Sequence, residues 1–477
     1  MTTHDNFLIS LDSTRLGYGP VVLYNPHHDI IPRGITVITG DNGAGKTTLG
    51  TILKKGRYAY GNRLTFAPDV NSVLMLSFTD IHTLSGMEAQ YYAQRLEATA
   101  NEMVPTVAEI IGRAIESEHF IRLCDTLNLR DVASKKINQL SSGELRKLLV
   151  INALMAEPDM LILDNPYIGL DAGSRREFDA TLVELRETGV SVIMLLCDNA
   201  DIPAYADALI EMKERTLGKT IVYKGEIDRI RTRQQETGSG SVELPEAPAW
   251  TQTDFRTAFA IRNGHVRYGD HDILREFDWQ VDKGERWLLA GPNGSGKSML
   301  LSLICADNPQ AYANDITLFD HQRGTGESIW EIKDAIGYVS PEMQLFFKSG
   351  SDVLNIVLQG LRSAMNRYAP ATPEETAIAR AWLDIMGISH LASRKFSELS
   401  TGEQRMVLVS RAMIKQPPLL VLDEPLHGLD SRSKQRVGDV ISALMRRPDA
   451  TMIFVTHYES EIPPCITHRK ELTKIKN

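Results

Sequence analysis

At 477 residues, the chain is long enough for two ordinary domains, each with a core of its own. Its composition, 43% hydrophobic and 24% charged, is typical of a globular protein. No apolar run reaches about 18 residues, which argues against a membrane-spanning helix. The net charge of −9 excludes a global attraction to nucleic acid or anionic lipid, although it is compatible with a local basic patch.

The N-terminus and the cysteines give the information about compartment. The first residues, MTTHDNFLIS, lack the charged and apolar regions of a secretory signal, which favours the cytoplasm. The cysteines are widely separated and form no CxxC pair; they are Cys124, Cys197, Cys305 and Cys465. This spacing argues against a disulfide framework and against a zinc ribbon.

A glycine-rich loop follows the first predicted buried strand, Ile35–Thr39. Gly40–Thr48 reads GDNGAGKTT, which is the pattern GxxxxGK[ST] between a strand and a helix. Glycines let backbone N–H groups surround phosphate oxygens, and the helix directs its positive end at the same place. The pattern predicts a nucleotide site in which Lys46 reaches the outer phosphates and Thr47 takes a Mg²⁺ position. Tyr18 is placed either to stack on an adenine ring or to lie half-buried on an edge strand.

Helical patterns follow, and one helix opens with a serine–glycine motif. Thr106 and Glu109 predict a capping box, and the apolar stripe after them is more typical of a core face than of a partner surface. Leu140–Glu144 reads LSSGE and opens a further helix. Met160–Asp171, MLILDNPYIGLD, then predicts a buried strand and a turn. Because LSSGE lies between the phosphate loop and this strand, it indicates more than an ordinary helix cap.

The same order of motifs occurs twice, on either side of a segment with linker composition, Gln234–Pro248. We therefore predict domains at 1–233 and 256–477, joined by a linker at 234–255. The strands Ser191–Leu196 and Thr451–Thr456 end the two series and are followed by Cys197 and His457. The other motifs of the second series are Tyr268, GPNGSGKS at Gly291–Ser298, the strand Ile336–Ser340, the helix cap at Thr372, Pro373 and Glu375, LSTGE at Leu399–Glu403, and LLVLDEPLHGLD at Leu419–Asp430.

Two adjacent acids distinguish the second series from the first. Asp423 and Glu424 end a predicted buried strand, where charged side chains are costly to keep. A common reason for such a pair is a metal ion together with a water that must lose a proton. In the first series Asp164 is followed by Asn165, so only one of the two acids has a counterpart there.

The phosphate loop, LSxGE, LxLDxP and a strand-end histidine, in this order within two copies, resemble the ATP-binding cassette (ABC) ATPases. The resemblance implies an α/β fold of two fused P-loop nucleotide-binding domains, each with a RecA-like core and a small helical subdomain. It also implies a head-to-tail pair within one chain, in which each ATP lies between the phosphate loop of one half and the LSxGE helix start of the other. Three stretches resemble more narrowly a tandem cassette protein associated with molybdate uptake: Asn308–Asp320, Ile329–Ser340 and Cys465–Arg469.

The resemblance assigns roles in the second site. Glu424 would be the general base, His457 would contact the γ-phosphate, and Asp423 and Ser298 would hold Mg²⁺. Lys297 would also be catalytic. The nucleotide-binding residues would be Tyr268, Gly291, Asn293, Gly294, Gly296, Lys297 and Ser298, closed by Ser141, Gly143 and Glu144 of the first half.

The first site has the same binding residues but lacks a base. They are Tyr18, Gly40, Asn42, Gly43, Gly45, Lys46, Thr47 and Thr48, with Thr47 and Asp164 for the metal, closed by Ser400, Gly402 and Glu403. Asn165 has no basic oxygen, and Cys197 cannot replace an imidazole. Because loss of a positioned base costs about 10²–10⁴ in rate, we expect MgATP binding with slow or no turnover. The alternative is that both replacements are harmless.

One departure from the family concerns a glutamine that usually follows the strand after the phosphate loop, where it touches Mg²⁺ and couples to the membrane partner. The corresponding places hold Phe78 and Pro341, and Gln344 is a nearby candidate to replace it. This departure counts against conventional coupling to a permease.

The leading hypothesis is an asymmetric tandem ATPase that uses ATP and Mg²⁺ and energises a membrane permease for molybdate or a similar oxyanion. Such a protein would be cytoplasmic, with peripheral association at the inner membrane. One alternative is a permease-free ATPase acting on ribosomes or nucleic acid, which the short linker without a basic run disfavours. Another is a regulatory switch, in which ATP at the inert site holds the halves together.

Overall fold

The computed structural model describes residues 7–18, 21–55, 64–77, 106–126, 129, 134, 142–168, 170, 172–233, 242–246, 255–268, 271–292, 294–326, 328–347, 349–362, 370–473 and 475. These residues form two compact units. The first contains the described residues up to Arg233 together with Gly428–Arg432, and the second contains the others from Val242 onward. Within the described ranges, none of the helices combines the length and apolarity that crossing a bilayer requires.

The first unit is organised on short apolar strands, several of which are buried along their whole length. The strands are β1 (Phe7–Leu11), β2 (Arg15–Tyr18), β3 (Val21–Tyr24), β4 (Ile30–Pro32), β5 (Ile35–Thr39), β6 (Leu64–Phe66), β7 (Val73–Ser77), β8 (Met160–Asp164), β9 (Ser191–Leu196), β10 (Ala208–Lys213) and β11 (Thr216–Ile221). The larger sheet has the order β2-β3-β11-β10-β5-β9-β8-β7 and is parallel from β10 to β7. A smaller antiparallel sheet has the order β4-β1-β6.

The first unit's described helices are α1 (Lys46–Lys55), α2 (Val107–Ile111), α3 (Glu118–Thr126), α4 (Ser142–Leu154), α5 (Ala172–Glu187) and α6 (Lys224–Arg231). The predicted capping box is confirmed at α2, where Thr106 Oγ1 accepts from the Glu109 N–H at 3.2 Å and Glu109 Oε2 accepts from the Thr106 N–H at 2.7 Å. The apolar stripe after it belongs to the core, since Val107 is buried and Ile110 and Ile111 pack against the same cluster.

The second unit separates its antiparallel and parallel strands into two sheets. Its described strands are β12 (Thr257–Tyr268), β13 (His271–Asp282), β14 (Arg286–Ala290), β15 (Asp315–Leu318), β16 (His321–Gln322), β17 (Ile336–Val339), β18 (Leu419–Asp423), β19 (Thr451–Val455) and β20 (His468–Glu471). The antiparallel sheet has the order β13-β12-β15-β16, and the parallel sheet has the order β17-β18-β19-β14-β20. The predicted strand Ile336–Ser340 therefore ends one residue early, because Ser340 caps the next helix.

The remaining helices are α7 (Lys297–Ile304), α8 (Ile329–Ala335), α9 (Pro341–Phe346), α10 (Val353–Leu361), α11 (Pro373–Ile385), α12 (Thr401–Met413) and α13 (Ser431–Leu444). Capping boxes start α11 at Thr372 and α12 at Ser400. The serine of LSTGE is therefore also an ordinary helix cap.

The repeat seen in the sequence is a repeat of the fold. The parallel strands of the first unit run β7-β8-β9-β5-β10, and those of the second run in the corresponding order β17-β18-β19-β14-β20. In parallel sheets, ligands bind beyond the carboxyl ends of the strands. In both units this edge carries the phosphate loop, the acid-bearing turn and the end of the following strand, and the α/β prediction is confirmed.

Candidate functional site

The two phosphate loops have the same backbone form. Gly45 and Gly296, the last glycines before α1 and α7, have φ values of 99° and 92°. A Cβ would lie 2.6 Å from Leu23 Cδ2 at the first position and 2.9 Å from Ile273 Cγ2 at the second. Both the backbone conformation and the lack of space for a Cβ therefore require glycine at these two positions.

A buried lysine follows each of these glycines. Lys46 Nζ donates to the carbonyls of Gly40 and Asp41 at 2.6 and 2.9 Å, and Lys297 Nζ donates to those of Gly291 and Pro292 at 2.7 and 3.0 Å. Burial lowers the pKa of the Lys46 amine, although nearby groups, chiefly Cys197 and Asp164, act in the opposite direction. Each amine is thus held inside its loop, beside the helix N-terminus.

Polar atoms in both loops fit a polyphosphate ligand. Asn42 Nδ2 and Ser295 Oγ are buried and have no hydrogen-bond partner among the residues that the structure describes. Buried polar atoms are seldom left in this state, so each indicates a ligand atom or a water at that point. Together with the lysine and the backbone N–H groups of a helix N-terminus, they form the donor set that phosphates require.

The predicted Mg²⁺ ligands of the first half lie side by side. Thr47 Oγ1 donates to Asp164 Oδ2 at 2.7 Å, and Asp164 is buried at the end of β8. Within the described ranges, no group of three or more His, Cys, Asp or Glu side chains could hold a metal by itself. A hydroxyl and a single carboxylate nevertheless fit Mg²⁺, which keeps several waters and takes further oxygens from a nucleotide.

The second half brings two imidazoles to the predicted base. Glu424 Oε2 lies 2.6 Å from His427 Nδ1, and Glu424 Oε1 lies 3.1 Å from His457 Nε2. Burial acts to raise the pKa of the Glu424 carboxyl, but the hydrogen bonds from His427 and His457 outweigh it and hold this pKa well below its usual range. The carboxylate is therefore ionised at neutral pH and accepts a bond on each oxygen.

The backbone at Glu424 is left-handed, with φ of 47°. This conformation costs a non-glycine residue about 1–3 kcal/mol unless the surroundings enforce it. The Glu424 N–H donates to the Val455 carbonyl at 2.9 Å. The buried Arg405 of α12 also holds this backbone. Its Nη2 donates to the Glu424 carbonyl and to the Asp423 carbonyl, the latter at 2.8 Å.

Arg405 is a buried cation beneath the two acids. Its side chain is 2% exposed, and burial lowers the pKa of its guanidinium to about 10. Its Nε and Nη1 atoms have no hydrogen-bond partner in the part of the chain that the structure describes. Its attraction to Asp423 and Glu424 opposes the burial effect and is the reason the charge is retained there.

Replacement of this cation is expected to destabilise the second unit. Arg405→Met should lower the free energy of unfolding by about 1–3 kcal/mol, because the carbonyls of Asp423 and Glu424 lose their buried donor. Denaturant unfolding measures the change. Arg380→Met is the matched control, since Arg380 is exposed on α11. Equal unfolding midpoints for the two variants would contradict this role of Arg405.

The corresponding turn of the first half has a different polar pattern. Asn165 is also left-handed, with φ of 51°, a conformation that asparagine tolerates better than glutamate. Its Nδ2 donates to Asp164 Oδ1 at 3.1 Å, so the amide binds the neighbouring acid. Cys197 is buried immediately after β9, at the place that corresponds to His457. Among the residues that the structure describes, a carboxylate between two imidazoles therefore occurs only in the second half.

The other predicted site residues take several positions. Gly402 and Glu403 lie in the first turn of α12, and Gly143 and Glu144 lie in the first turn of α4. Tyr268 is the last residue of β12. Ser141, Asn293 and Phe78 lie outside the described residues.

Tyr18 lies on β2 beside a lysine. Its hydroxyl accepts from Lys55 Nζ at 2.8 Å, and the same amine lies 4.6 Å from the ring centroid. The ring is half-buried, as an edge-strand tyrosine would be. Stacking of this ring on adenine stays a prediction.

Gln344 contacts the LSTGE region. Ser340 Oγ accepts from the Met343 N–H at 3.0 Å and caps α9, with Pro341 in the first turn. Gln344 Nε2 donates to the Thr401 carbonyl at 2.7 Å, at the first residue of α12. The glutamine therefore joins the helix after β17 to the start of the LSTGE helix.

Sequence reasoning missed His427 and Arg405. His427 follows Glu424 by three residues, a spacing at which a turn brings side chains together, and this spacing was the available signal. Arg405 stands among apolar residues of α12, so its charge at a buried position was a second signal. Neither signal identifies the partner, because the contact depends on the tertiary fold.

Comparison with known proteins decides the family. The family described as ABC transporter matches residues 23–168 and 274–427. The ABC transporter ATP-binding protein ModF of Escherichia coli (strain K12) is 34% identical over 91% of this chain and 90% of its own length. This chain belongs to the ABC transporter family. Its ABC domains are ATPase domains, and its tandem organisation is confirmed.

Other matches extend over most of the chain. An uncharacterized ABC transporter ATP-binding protein of Schizosaccharomyces pombe (strain 972) is 25% identical over 91% of both chains. The archaeal ribosome recycling factor aABCE1, crystallised with ribosomal stalk protein aP1, covers 98% of this chain and 88% of its own, with 17% identity and a TM-score of 0.56. At that identity the likeness shows the fold alone, so the ABC fold by itself assigns no ribosomal partner.

Proposed function

We propose that this ABC ATPase hydrolyses ATP chiefly in its second half. The observation that carries the proposal is the buried Glu424 carboxylate, whose two oxygens lie 2.6 Å from His427 Nδ1 and 3.1 Å from His457 Nε2. An ionised carboxylate can accept a proton from water, whereas the amide of Asn165 cannot. The two halves would therefore have different tasks.

In the second half, Lys297 and the N–H groups of its loop would bind the phosphates, and Ser298 and Asp423 would hold Mg²⁺. The ion, when bound, neutralises charge on the β- and γ-phosphates. Glu424 would accept a proton from the attacking water as the water oxygen bonds to the γ-phosphorus, while the bond from the γ-phosphorus to the β–γ bridging oxygen breaks and ADP leaves with that oxygen. His457, two residues after the end of β19, would donate a hydrogen bond to a γ-phosphate oxygen.

In the first half, we assign Lys46, Thr47 and Asp164 to binding of MgATP without turnover. Both Asp164 oxygens accept hydrogen bonds, Oδ2 from Thr47 and Oδ1 from Asn165. The amide thus supports the metal-binding carboxylate but supplies no group that can remove a proton from water.

The proposed partner is a membrane permease for molybdate or a related oxyanion, with the ATPase bound peripherally at its cytoplasmic side. The 34% sequence identity to ModF, which extends over 91% of the chain, supports a transporter role. The Gln344 contact supplies a path for coupling. Because Gln344 on α9 binds the first residue of α12, a partner that moves α9 would also move the LSTGE helix.

Affinity purification tests the permease proposal. Tagged Glu424→Gln protein, which would keep ATP bound, is expected to retain a permease in detergent-solubilised membranes more strongly than wild type. Uptake of molybdate by cells is expected to be lost with Lys297→Ala, because the second half can no longer hold the phosphates for hydrolysis. Mass spectrometry of the purified complex and molybdenum content of the cells are the measurements.

An exposed-lysine variant is the control for uptake. Lys54→Ala changes an exposed residue of α1 and should leave molybdenum content unchanged. A protein that purifies without any membrane component, from cells whose molybdenum content does not depend on Lys297, would contradict the permease role.

A further inference from the structure

The proposed base has two imidazole partners that reach it from different elements. His427 lies on the same turn as Glu424, and its N–H donates to the Glu424 carbonyl at 3.2 Å. His457 follows the neighbouring strand β19 and reaches the opposite carboxylate oxygen. Side chains on one turn move together, whereas side chains on separate elements can part. The contact with His427 therefore depends on this turn alone, whereas the contact with His457 depends also on the position of β19.

The surroundings fix the ring of His427. Its side chain is 11% exposed, and the ring of Tyr458 packs edge-on against it, with centroids 6.2 Å apart and an interplanar angle of 75°. In this position the ring places Nδ1 2.6 Å from Glu424 Oε2. Hydrogen bonds from a fixed neighbour orient the group that performs the chemistry.

The described residues of the first half show no such arrangement at the corresponding turn. The corresponding turn carries Ile168 three residues after Asn165, and the Ile168 N–H donates to the Asn165 carbonyl at 3.4 Å. The backbone turn is therefore present in both halves, and the imidazole is an addition specific to the half with the glutamate. Formation of the turn does not require a histidine at this position.

From these observations we infer that His427 is a positioning residue for catalysis, which holds Glu424 Oε2 so that the carboxylate keeps its orientation after His457 engages the nucleotide. The inference rests on the proposed role of Glu424 as the base. His427 touches neither the nucleotide nor the water in this role. It sets the direction in which the other oxygen faces the water.

The test compares His427→Leu and His427→Asn in the full chain. Leucine removes the donor, and asparagine retains a donor near the place of Nδ1. We expect His427→Leu to lower kcat about 10- to 100-fold, because small displacements of a catalytic group have effects of this size. KM should stay within about twofold, since binding is not affected. His427→Asn should restore most of kcat.

Several controls exclude a general structural effect. Ile168→Leu, at the corresponding turn of the first half, should leave kcat unchanged. Thermal unfolding of the His427 variants reports on folding, and the asparagine variant keeps the comparison open if the leucine variant is unstable. In the Glu424→Gln background, His427→Leu should cause no further loss, because no base remains to be positioned.

The results separate this inference from the proposed function. If Glu424→Gln abolishes turnover but His427→Leu keeps wild-type kcat, the positioning role is wrong and the base assignment stands. Equal losses for the leucine and asparagine variants would also overturn it, because they would indicate packing. If Glu424→Gln retains wild-type turnover, the base assignment itself is wrong, and the role of His427 falls with it.

Discussion

Glu424→Gln is expected to lower the steady-state ATPase rate of the chain about 10²- to 10⁴-fold, the usual effect of removing a positioned base. Glutamine keeps the shape of the side chain, so the bonds that hold the turn, including that from Arg405 to the Glu424 carbonyl, are retained. It has no oxygen basic enough to take a proton from water. Phosphate release at saturating ATP and Mg²⁺ measures the rate.

The corresponding change in the first half is the control for this prediction. Asn165→Gln lengthens an amide that donates to Asp164 but removes no base. We expect this variant to lose less than about threefold in rate, since the step it affects is binding at the other site. Comparable losses in the two variants would contradict the division of tasks between the halves.

Lys297→Ala is expected to reduce turnover about 10²- to 10³-fold, because the loop loses the buried cation that we propose binds the phosphates. Lys46→Ala removes the matching amine of the first half. It should weaken nucleotide retention there while sparing hydrolysis, with a loss of turnover below about tenfold. Turnover and the nucleotide bound after rapid gel filtration are measured for both variants.

An exposed lysine provides the control for the lysine pair. Lys54 is exposed and lies on the same helix as Lys46, so Lys54→Ala should change neither the turnover nor the amount of bound nucleotide. The asymmetry would be contradicted by a Lys46→Ala protein that loses as much turnover as Lys297→Ala.

The parts of the fold that depend on local pattern could be predicted. The strands β5, β8 and β18 are predominantly apolar, and every residue in them is buried. The loops after β5 and β14 require glycine for reasons that are visible in the sequence, and the cap at Thr106 depends on residues three apart. The repeat indicated that the two halves share one fold, and the structure supplied the order of their strands.

Contacts between distant segments could not be predicted. The bond from Gln344 to the Thr401 carbonyl joins residues 57 positions apart, and no periodicity specifies it. Similarly, Arg405 donates to the carbonyls of Asp423 and Glu424, which lie 18 and 19 positions further along the chain, and no local pattern specifies these bonds. The sequence indicated that Asn165 lacks a base, but it did not show that the amide turns back to Asp164.

We propose a division of tasks in which one half of the chain hydrolyses ATP and the other binds it without turnover. A single-turnover experiment tests this division, because it observes cleavage without product release. Glu424→Gln protein is used in excess over labelled ATP, with Mg²⁺ present throughout. We expect the nucleotide bound to the variant to remain ATP after acid quench, while wild type cleaves the share held by its second half. Conversion of about half of the bound ATP to ADP by the variant would show that the first half is active, and the proposed division of tasks between the halves would then be wrong.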